Sequence, residues 1–430
     1  MKPARSQRQA ARGARGLATL ATLLLLLLAA LLAAAWAQRS ALNEIHSAAN
    51  QWHSAGAREA AEAGLEWAQA MLNSSHAIGA DCQPSRTAGA LGFRSRYLHT
   101  ADAYGRLVVA APAAAASPLK IACSRDAAGW SCACPTDAAP AAPPSSRDGH
   151  FTPSFLVELA AGAWPGSIEL LAIGCSDAAR PCLAGASRTA DASARLRVSL
   201  ALLPALMTAP AATLTVRGSI DAGTAGLGLH NADAWSGGLA AQAGGAIVGS
   251  NLRIGSTPGA APASALLGND PALAGLAPER LFSRHFGTDA AHWKYLPGVQ
   301  RLSCRGGDCS AELLALLEPN ADIARIAVDG DLQLANGLQI GSRERPVLLV
   351  IDGDLLLDGR VQLHGIVWAR NMRWDGVSVD GGGLLHGAAL LSGNYSGNAG
   401  ADLVYDPSLM PRLKQQSGTW VRVPGSWRDE

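Results

Sequence analysis

The eight cysteines offer the most definite chemistry in this sequence of 430 residues. All of them follow an apolar N-terminal stretch, and their even number is typical of disulfides in an exported protein. Two closely spaced pairs predict local loops closed by disulfides: Cys175 with Cys182, and Cys304 with Cys309. The other four predict two further bridges whose pairing stays open: Cys82, Cys123, Cys132 and Cys134. Zinc is the weaker alternative, because no paired Cys-x-x-Cys set occurs.

Two Asp-Gly-Asp sequences, Asp329–Asp331 and Asp352–Asp354, place carboxylates at a spacing that could serve Ca²⁺, which prefers oxygen ligands. The closing glutamate of a complete calcium loop is absent after both of them, and Asp-Gly is also common in tight turns. We therefore interpret both sequences as structural turns and predict no metal site.

An enzyme that acts on carbohydrate is the least supported function class. Its residues would be charged side chains of a glycine-rich region: Arg370, Arg373, Asp375 and Asp380. Four tryptophans could line a ligand surface or pack in the core: Trp368, Trp374, Trp420 and Trp427. No nucleophile elbow, phosphate-binding loop, dinucleotide fingerprint or His-Glu-x-x-His motif occurs. We therefore predict a protein without catalytic residues and without cofactors.

Composition and charge exclude other classes. Charged residues make up 16% of the chain and hydrophobic residues 49%, which excludes a disordered polyelectrolyte. Residues 1–16 contain five of the 35 basic residues and none of the 34 acidic ones, so the rest of the chain is mildly acidic. This argues against a nucleic-acid partner, because such a protein needs a surface excess of Lys and Arg.

An apolar segment from Leu17 to Trp36 is the first structural element of the sequence. It contains 20 residues and no charge. A helix of this length is about 30 Å long and can cross a bilayer. The basic residues before it predict a cytoplasmic N-terminus and an exported body. The predicted membrane anchor comprises Leu17, Leu20, Leu23, Leu24, Leu25, Leu26, Leu27, Leu28, Leu31, Leu32 and Trp36. A secretory signal cleaved after Ala37 is the alternative; we favour a retained anchor because the apolar stretch exceeds a usual signal core.

An amphipathic pattern continues the helix beyond the membrane. Apolar or small residues recur at steps of three and four from Leu42 to Ala70, a helical stripe of the coiled-coil type. The predicted packing face comprises Leu42, Ile45, Trp52, Ala60, Ala63 and Trp67. Because no proline occurs between Pro3 and Pro84, one helix is predicted from about Leu17 to Leu72.

This N-terminal region resembles the PilX-type minor pilins, a family of type IV pilus biogenesis proteins. The resemblance covers roughly residues 12–72 and is most specific in Ala60-Ala61-Glu62-Ala63-Gly64-Leu65-Glu66-Trp67-Ala68. Further residues that fit it are Arg15-Gly16-Leu17, Arg39, Glu44 and Asn50, with Val404–Pro407 and Pro424–Asp429 near the C-terminus. One position departs from the pilin pattern. With a cut after Gly16, the fifth mature residue is Ala21, where major pilins carry glutamate.

The resemblance implies a non-enzymatic component of pilus assembly, a minor-pilin-like subunit that is single-pass in the bacterial inner membrane. Its body would lie in the periplasm or on the pilus. Its partners would be inner-membrane lipid and, through the N-terminal helix, other pilins and pilus assembly proteins. The alternative function is a membrane-tethered adhesin whose C-terminal half binds a surface ligand.

Beyond the helix, short alternating runs predict an antiparallel β head over residues 73–205, and hence an α+β fold. The runs are Arg106–Ala110, Leu119–Cys123, Trp130–Cys134, Phe155–Leu159, Ile168–Ile173 and Ala194–Leu203. A proline- and serine-rich stretch, residues 136–150, predicts an exposed loop among them.

The C-terminal half, residues 211–430, contains 33 of the 47 glycines. Residues 327–334 resemble residues 350–357 at an offset of 23, and His364-Gly365 recurs as His386-Gly387 at an offset of 22. Such periods, with glycine at tight corners, favour a β-solenoid over a β-sandwich with irregular turns. The predicted organisation is a basic segment 1–16, a transmembrane helix 17–36, its amphipathic continuation 37–72, the head 73–205 and a glycine-rich β domain 211–430.

Overall fold

The structure is a computed structural model that describes residues 14–87, 89–100, 107–109, 120–126, 129–134, 152–164, 166–176, 192–304, 307–317, 323–376 and 382–429. Several predicted features lie outside these residues. They are most of the basic segment 1–16, the loop 136–150, Cys182 and Asp380.

A single helix, α1 (Ala14–Asn73), forms the N-terminal part of the protein. It contains 60 residues and spans roughly 90 Å at 1.5 Å per residue. The prediction of a long N-terminal apolar helix is confirmed, and the alanine- and leucine-rich sequence explains why the helix is unbroken. At its end Arg94 donates to the carbonyl of Leu72 from Nη2 at 2.8 Å, which satisfies a carbonyl that the last turn leaves unpaired.

An antiparallel sheet packs on the second half of α1, and together they form the head. Its elements are a short helix α2 (Phe93–Tyr97) and the strands β1 (Leu98–Thr100), β2 (Leu107–Val109), β3 (Lys120–Asp126), β4 (Gly129–Ala133), β5 (Ser154–Ala161), β6 (Ser167–Cys175) and β7 (Ser193–Pro204). β1 pairs with β2, and the others are neighbours in the order β4, β3, β5, β6, β7. Each predicted run overlaps one of these strands, and the α+β class is confirmed.

The alternation in the strands explains how the sheet meets the helix. In β7 the side chains of Leu196, Val198 and Leu200 are buried in the core that contains the helix, whereas Arg195 and Arg197 point away. At Gly174 in β6 the backbone comes so close to α1 that a Cβ would overlap the carbonyl oxygen of Ala57.

Residues 205–417 form a second unit, named the ladder domain here because its strands pair in parallel ladders. Its first elements are β8 (Ala212–Val216), β9 (Ile220–Asp221), β10 (Gly228–His230), β11 (Leu239–Ala243), β12 (Ile247–Val248), β13 (Arg253–Gly255), β14 (Leu266–Leu267), α3 (Pro271–Ala274), α4 (Pro278–Phe286), α5 (Ala290–Trp293) and β15 (Val299–Ser303). The later ones are α6 (Ser310–Leu317), β16 (Ala324–Asp329), β17 (Leu332–Leu334), β18 (Gln339–Ile340), β19 (Val347–Ile351), β20 (Leu355–Asp358), β21 (Gln362–Ala369), β22 (Met372–Asp375), β23 (Leu384–Leu391), β24 (Tyr395–Gly397), β25 (Asp402–Val404) and α7 (Leu409–Gln416).

The internal echoes of the sequence appear as strand register in this domain. Ala327 of β16 pairs with Val350 of β19, at the offset of 23. His364 of β21 pairs with His386 of β23, at the offset of 22. All pairings between ladder-domain strands in the described part of the chain are parallel, and they form one sheet of 12 strands and one of six.

The spatial order of the ladder strands differs from their order in the chain. β15, β16, β19, β21 and β23 lie side by side in chain order, but the far side of β23 pairs first with β25 and then with β8, where Ala389 pairs with Leu214. β11 and then β14 follow β8. The last coil of the domain is therefore stacked on its first coil. Helices α4 and α5 pack their aromatic side chains outside this stack, where Phe282 contacts Trp368 edge to face at 5.0 Å.

Two C-terminal strands, β26 (Gly418–Arg422) and β27 (Arg428–Asp429), return to the head and pair with β7. Gly418 lies directly opposite Pro204. The ladder domain is therefore inserted between two adjacent antiparallel strands of the head. The predicted boundary of the C-terminal domain, 211–430, is wrong at its end, because residues 418–429 complete the head sheet. The local pattern of a five-residue strand does not indicate its partner.

Candidate functional site: the N-terminal helix and its seat

The first part of α1 is bare and apolar. The side chains of its predicted anchor leucines from Leu20 to Leu32 are 54–67% exposed, and Trp36 is 75% exposed. Among the described residues, α1 is the one helix that is long and apolar enough to cross a membrane. It is compatible with a single-pass anchor, and a signal sequence would have the same properties.

The next part, residues 37–56, is named the stalk. It is helical throughout and spans roughly 30 Å between the apolar segment and the head. Three predicted packing residues, Leu42, Ile45 and Trp52, are 49%, 63% and 59% exposed. Within this chain, the predicted packing face therefore does not begin at Leu42. Burial begins at Ala57, because the head sheet extends no further along the helix.

The seat of the helix is the face that lies against the head sheet. Ala57, Ala60, Ala61, Leu65, Ala68 and Leu72 are buried there. The predicted residues Ala63 and Trp67 are half-buried and pack against the same core. The Trp67 ring lies 5.7 Å from that of Phe93 and 5.9 Å from that of Phe155. Small residues on the helix let the sheet approach, and aromatic rings fill the edges of the contact.

The C-terminal tail locks this seat from the other side. Arg422 donates to Glu66 from Nη2 at 2.7 Å and to Gln69 from Nε at 2.9 Å. Arg58 lies 3.2 Å from Asp429. The tail thus spans about three turns of polar side chains on α1. Sequence reasoning missed this lock, since the paired residues are more than 350 positions apart.

A buried arginine joins the ladder domain to the seat. Arg325 of β16 donates to Oγ1 of Thr419 at 3.0 Å and to the carbonyl of Pro297 at 2.9 Å. Burial, with a smaller effect from the nearby Arg94 cation, lowers the pKa of Arg325 to about 9. The side chain remains charged at neutral pH, so its hydrogen bonds hold β26 against β16 and the segment before β15 of the ladder domain.

The disulfides lie in both units. Cys82 bonds to Cys134 and Cys123 to Cys132, which resolves the pairing that the spacing left open. The predicted Cys304–Cys309 bond is present. Cys175 is disulfide-bonded, and its predicted partner Cys182 lies outside the described residues.

The Asp-Gly-Asp carboxylates serve as hydrogen-bond acceptors between coils. Asp331 accepts from the backbone N–H of Asp354 at 2.8 Å, 23 residues later. Asp354 in turn accepts from Nε of Arg370 at 2.8 Å and from Nδ2 of Asn371 at 2.9 Å. Burial raises the pKa of Asp354, but the hydrogen bonds from Arg370 and Asn371 outweigh it and hold that pKa below its usual value. These carboxylates therefore connect the turns of successive coils.

The residues of the carbohydrate-enzyme hypothesis do not converge on one site among the described residues. Arg370 is paired with Asp354, whereas Arg373 is paired with Asp375 at 2.5 Å. Trp368, Trp374 and Trp420 are buried, which corrects the idea that they could line a surface. Trp427 is partly exposed. The fully exposed tryptophan is one that sequence reasoning missed, Trp235, at 98%.

No family model matches the chain, and no curated protein matches it. Among solved structures, it is similar to the competence-associated pilin ComZ from Thermus thermophilus, with a TM-score of 0.23 and 13% sequence identity. That match covers 88% of this chain and 97% of the ComZ chain.

Proposed function

We propose that this protein is a non-enzymatic component of type IV pilus assembly, a minor-pilin-like subunit anchored in the inner membrane with its body outside. The observation that carries the proposal is α1, an unbroken helix whose first part is bare and apolar and whose last part is buried under an antiparallel sheet. The residues that resemble PilX-type minor pilins occupy this same helix.

The mechanism is physical. The apolar segment holds the subunit in the bilayer until helices of neighbouring pilins replace the lipid around it. The stalk would pack on a partner helix too, because Leu42 and Ile45 recur at coiled-coil spacing and their side chains are exposed.

We interpret the ladder domain as a β-solenoid. Parallel pairing at offsets of 22 and 23 residues supports this fold, because a sandwich of antiparallel strands would not pair residues at a constant sequence offset. In the proposed function this domain is the part that the head presents to other subunits or to the outside.

The test uses two matched double variants of the full chain in its native strain. Leu42→Ser with Ile45→Ser alters the exposed stripe, whereas Asn43→Ser with Gln51→Ser alters other faces of the stalk. We expect the first variant to remain in the membrane with its disulfides formed and to lose piliation and pilus-dependent motility. The second variant should keep both. Normal piliation in the first variant would contradict the assembly role.

Mass spectrometry of the mature chain tests the anchor separately. The proposal expects a chain that retains residues 17–36. A mature chain that begins at Gln38 would establish a cleaved secretory signal and overturn the membrane anchor.

An adhesin remains the second candidate because of Trp235. Its loop is braced: Asn231 is buried and donates to the carbonyls of Ala211 and Leu239, and Asp233 accepts from the backbone N–H of Trp235 at 3.2 Å. An exposed aromatic residue on a rigid loop is a typical binding anchor. Removal of residues 205–417 would abolish attachment but leave filaments intact if the ladder domain is an adhesin.

A further inference from the structure

Two histidine rings are stacked on neighbouring strands of the ladder domain. His364 and His386 are register partners in β21 and β23, with ring centroids 5.4 Å apart and planes 22° from parallel. Their neighbours Leu363 and Leu385 point into the core, so the rings lie on the outer side of the sheet. The Nδ1 atoms of both rings are inaccessible to solvent, and no described residue forms a hydrogen bond of normal geometry with them.

Two segments that are distant in the chain contact each other beside the rings. Arg412 of α7 donates to the carbonyls of Arg343 and Glu344 at 2.7 and 3.0 Å. Asp406, which precedes α7, lies 3.5 Å from Nδ1 of His386 and 3.7 Å from Nε of Arg343. The side chains of His386 and Asp406 are both almost buried. We name this set, with the two rings, the histidine clasp.

The clasp lies on one of the two covalent connections between the ladder domain and the head. Asp406 stabilises the turn that precedes α7 by accepting from the backbone N–H of Ser408 at 2.9 Å and from its hydroxyl at 2.6 Å. α7 then leads directly into β26 of the head sheet. A change in the clasp therefore acts on the segment that connects the two units.

The charges around the rings make the first and second protons unequal. The charged groups that face the pair are Arg343 and Glu344 from the loop before β19 and Asp406 from the segment before α7, and Arg412 of α7 faces Glu344. The Asp406 carboxylate lies beside the pair and can balance one positive charge on it. A second charge would leave each ring facing a charged ring, with the Arg343 cation nearby, and water does not reach the Nδ1 atoms.

We propose that the histidine clasp is an acid-sensitive attachment: it is closed when the ring pair carries at most one proton, and it opens when both rings are charged. Histidine is the side chain whose charge changes between about pH 5 and 8, and the unfavourable second charge places the response in the acidic part of that range. Opening separates α7 from residues 341–346 and loosens the ladder domain on the head. Burial and the cations of the partner ring and of Arg343 lower the pKa of His364, which is consistent with a closed clasp at neutral pH.

Hydrogen exchange of the full chain in detergent tests the proposal. Amides of residues 341–346 and 406–413 are followed at pH 7.5 and pH 5.0, with labelling times corrected for the intrinsic rate. We expect their protection to fall at least about tenfold at pH 5.0, while β6 and β7 change little. A wild-type protein without this local fall overturns the proposal.

Two single variants assign the effect to the rings. His364→Asn and His386→Asn each leave one ring that can become charged, so we expect either variant to lose most of the local fall at pH 5.0. His292→Gln, on the exposed surface of α5, is the control and should behave as the wild type. Each variant is compared only if its protection at pH 7.5 equals that of the wild type; a fall that persists in both variants overturns the proposal.

Discussion

The side chain of Asn73 pairs with both backbone groups of Trp420. Its Nδ2 donates to the carbonyl at 3.0 Å, and its Oδ1 accepts from the N–H at 2.7 Å, across 347 positions of sequence. Asn73 is the last residue of α1, and Trp420 lies in the middle of β26, with its own side chain buried in the head core. The final turn of α1 is thus joined directly to the strand that completes the head.

This pairing predicts that Asn73 is important for stability. Asn73→Ala removes both of these bonds: the N–H of Trp420 loses its acceptor, whereas the carbonyl keeps a bond from Nε2 of Gln69 at 3.2 Å. A buried polar group that loses its partner costs about 1–3 kcal/mol, so we expect the free energy of unfolding of the head to fall by about that amount, measured by denaturant unfolding of the full chain in detergent. Asn50→Ala, on the exposed stalk, is the matched control and should change it by less than about 0.5 kcal/mol. Equal effects of the two variants would contradict the role of the pairing.

The insertion of the ladder domain predicts that the head folds without it. Pro204 and Gly418 are opposite each other, so an Asn-Gly turn can replace residues 205–417 and close a β7–β26 hairpin. We expect this variant to form the Cys82–Cys134 and Cys123–Cys132 disulfides and to unfold cooperatively. A control that also lacks residues 418–430 should be much less stable, since β26 and the buried Trp420 are missing. Aggregation of the first variant to the same extent as the control would contradict the insertion.

Local features of this fold could be predicted from sequence because local residues cause them. The extent of α1 follows from an absence of proline and from small or apolar residues at helical spacing. The offsets between Ala327 and Val350 and between His364 and His386 gave the register of the ladders, because stacked coils place equivalent residues side by side.

Non-local features were missed for the same reason. Neither the five-residue strand β26 nor β8 carries a signal for its partner, so the return of the tail to β7 and the stacking of β8 on β23 were not predictable. The stripe at Leu42 and Ile45 has the pattern of a buried face, but sequence cannot tell burial within one chain from burial between chains. Sequence alone could not assign Trp374 to the core, because burial of its indole depends on a hydrogen bond from Nε1 to the carbonyl of Gly359, which only the fold shows.

The junction between the first and last coils is held by side-chain hydrogen bonds and strand pairing, without a direct chain connection. Asn394 accepts from the backbone N–H of Ser219 at 2.9 Å, and Asn398 accepts from those of Thr224 and Ala225 at 2.8 and 2.7 Å. We expect the double variant Asn394→Ala, Asn398→Ala to lose about 1–2 kcal/mol of stability. In hydrogen exchange, we expect the amides of β8 to β10 to lose protection before those of the other ladder-domain strands.

The control for the junction is Asn336→Ala. Asn336 accepts from the backbone N–H of Arg360 at 2.7 Å, but it joins coils that are consecutive in the chain. Its loss should leave the protection of β8 to β10 unchanged. If Asn336→Ala releases these strands as much as the double variant does, the junction is not a separate point of weakness.

His285 predicts a loss of stability in acid. The ring is buried in the apolar cluster between α4 and the stack. Burial lowers its pKa below 6.5, and this outweighs the opposing effect of the hydrogen bond between Nδ1 and the carbonyl of Thr208. The unfolded chain therefore takes up the proton at higher pH than the folded chain does. Stability is complete above about pH 6.5 and decreases as the pH falls below it, by up to about 1.4 kcal/mol per unit.

Urea unfolding between pH 7.5 and pH 5.0 measures this contribution of His285. His285→Gln should reduce the dependence of the midpoint on pH, whereas His292→Gln, whose ring is exposed, should keep it. The variant is also expected to be less stable than the wild type at pH 7.5, because a new side chain must fit the cluster. An unchanged pH dependence in His285→Gln would show that the pKa of His285 does not differ between the folded and unfolded states.

The disulfides predict unequal losses of stability in the head and in the ladder domain. Cys82 and Cys134 are 52 positions apart, whereas Cys304 and Cys309 are five apart. Because a bond that closes a longer loop removes more entropy from the unfolded chain, replacing the first pair by Ala should cost about 4 kcal/mol, and the second about 2 kcal/mol. Denaturant unfolding of the two double variants measures both values. Equal losses would mean that the native environment of each bond, rather than its loop length, determines its contribution.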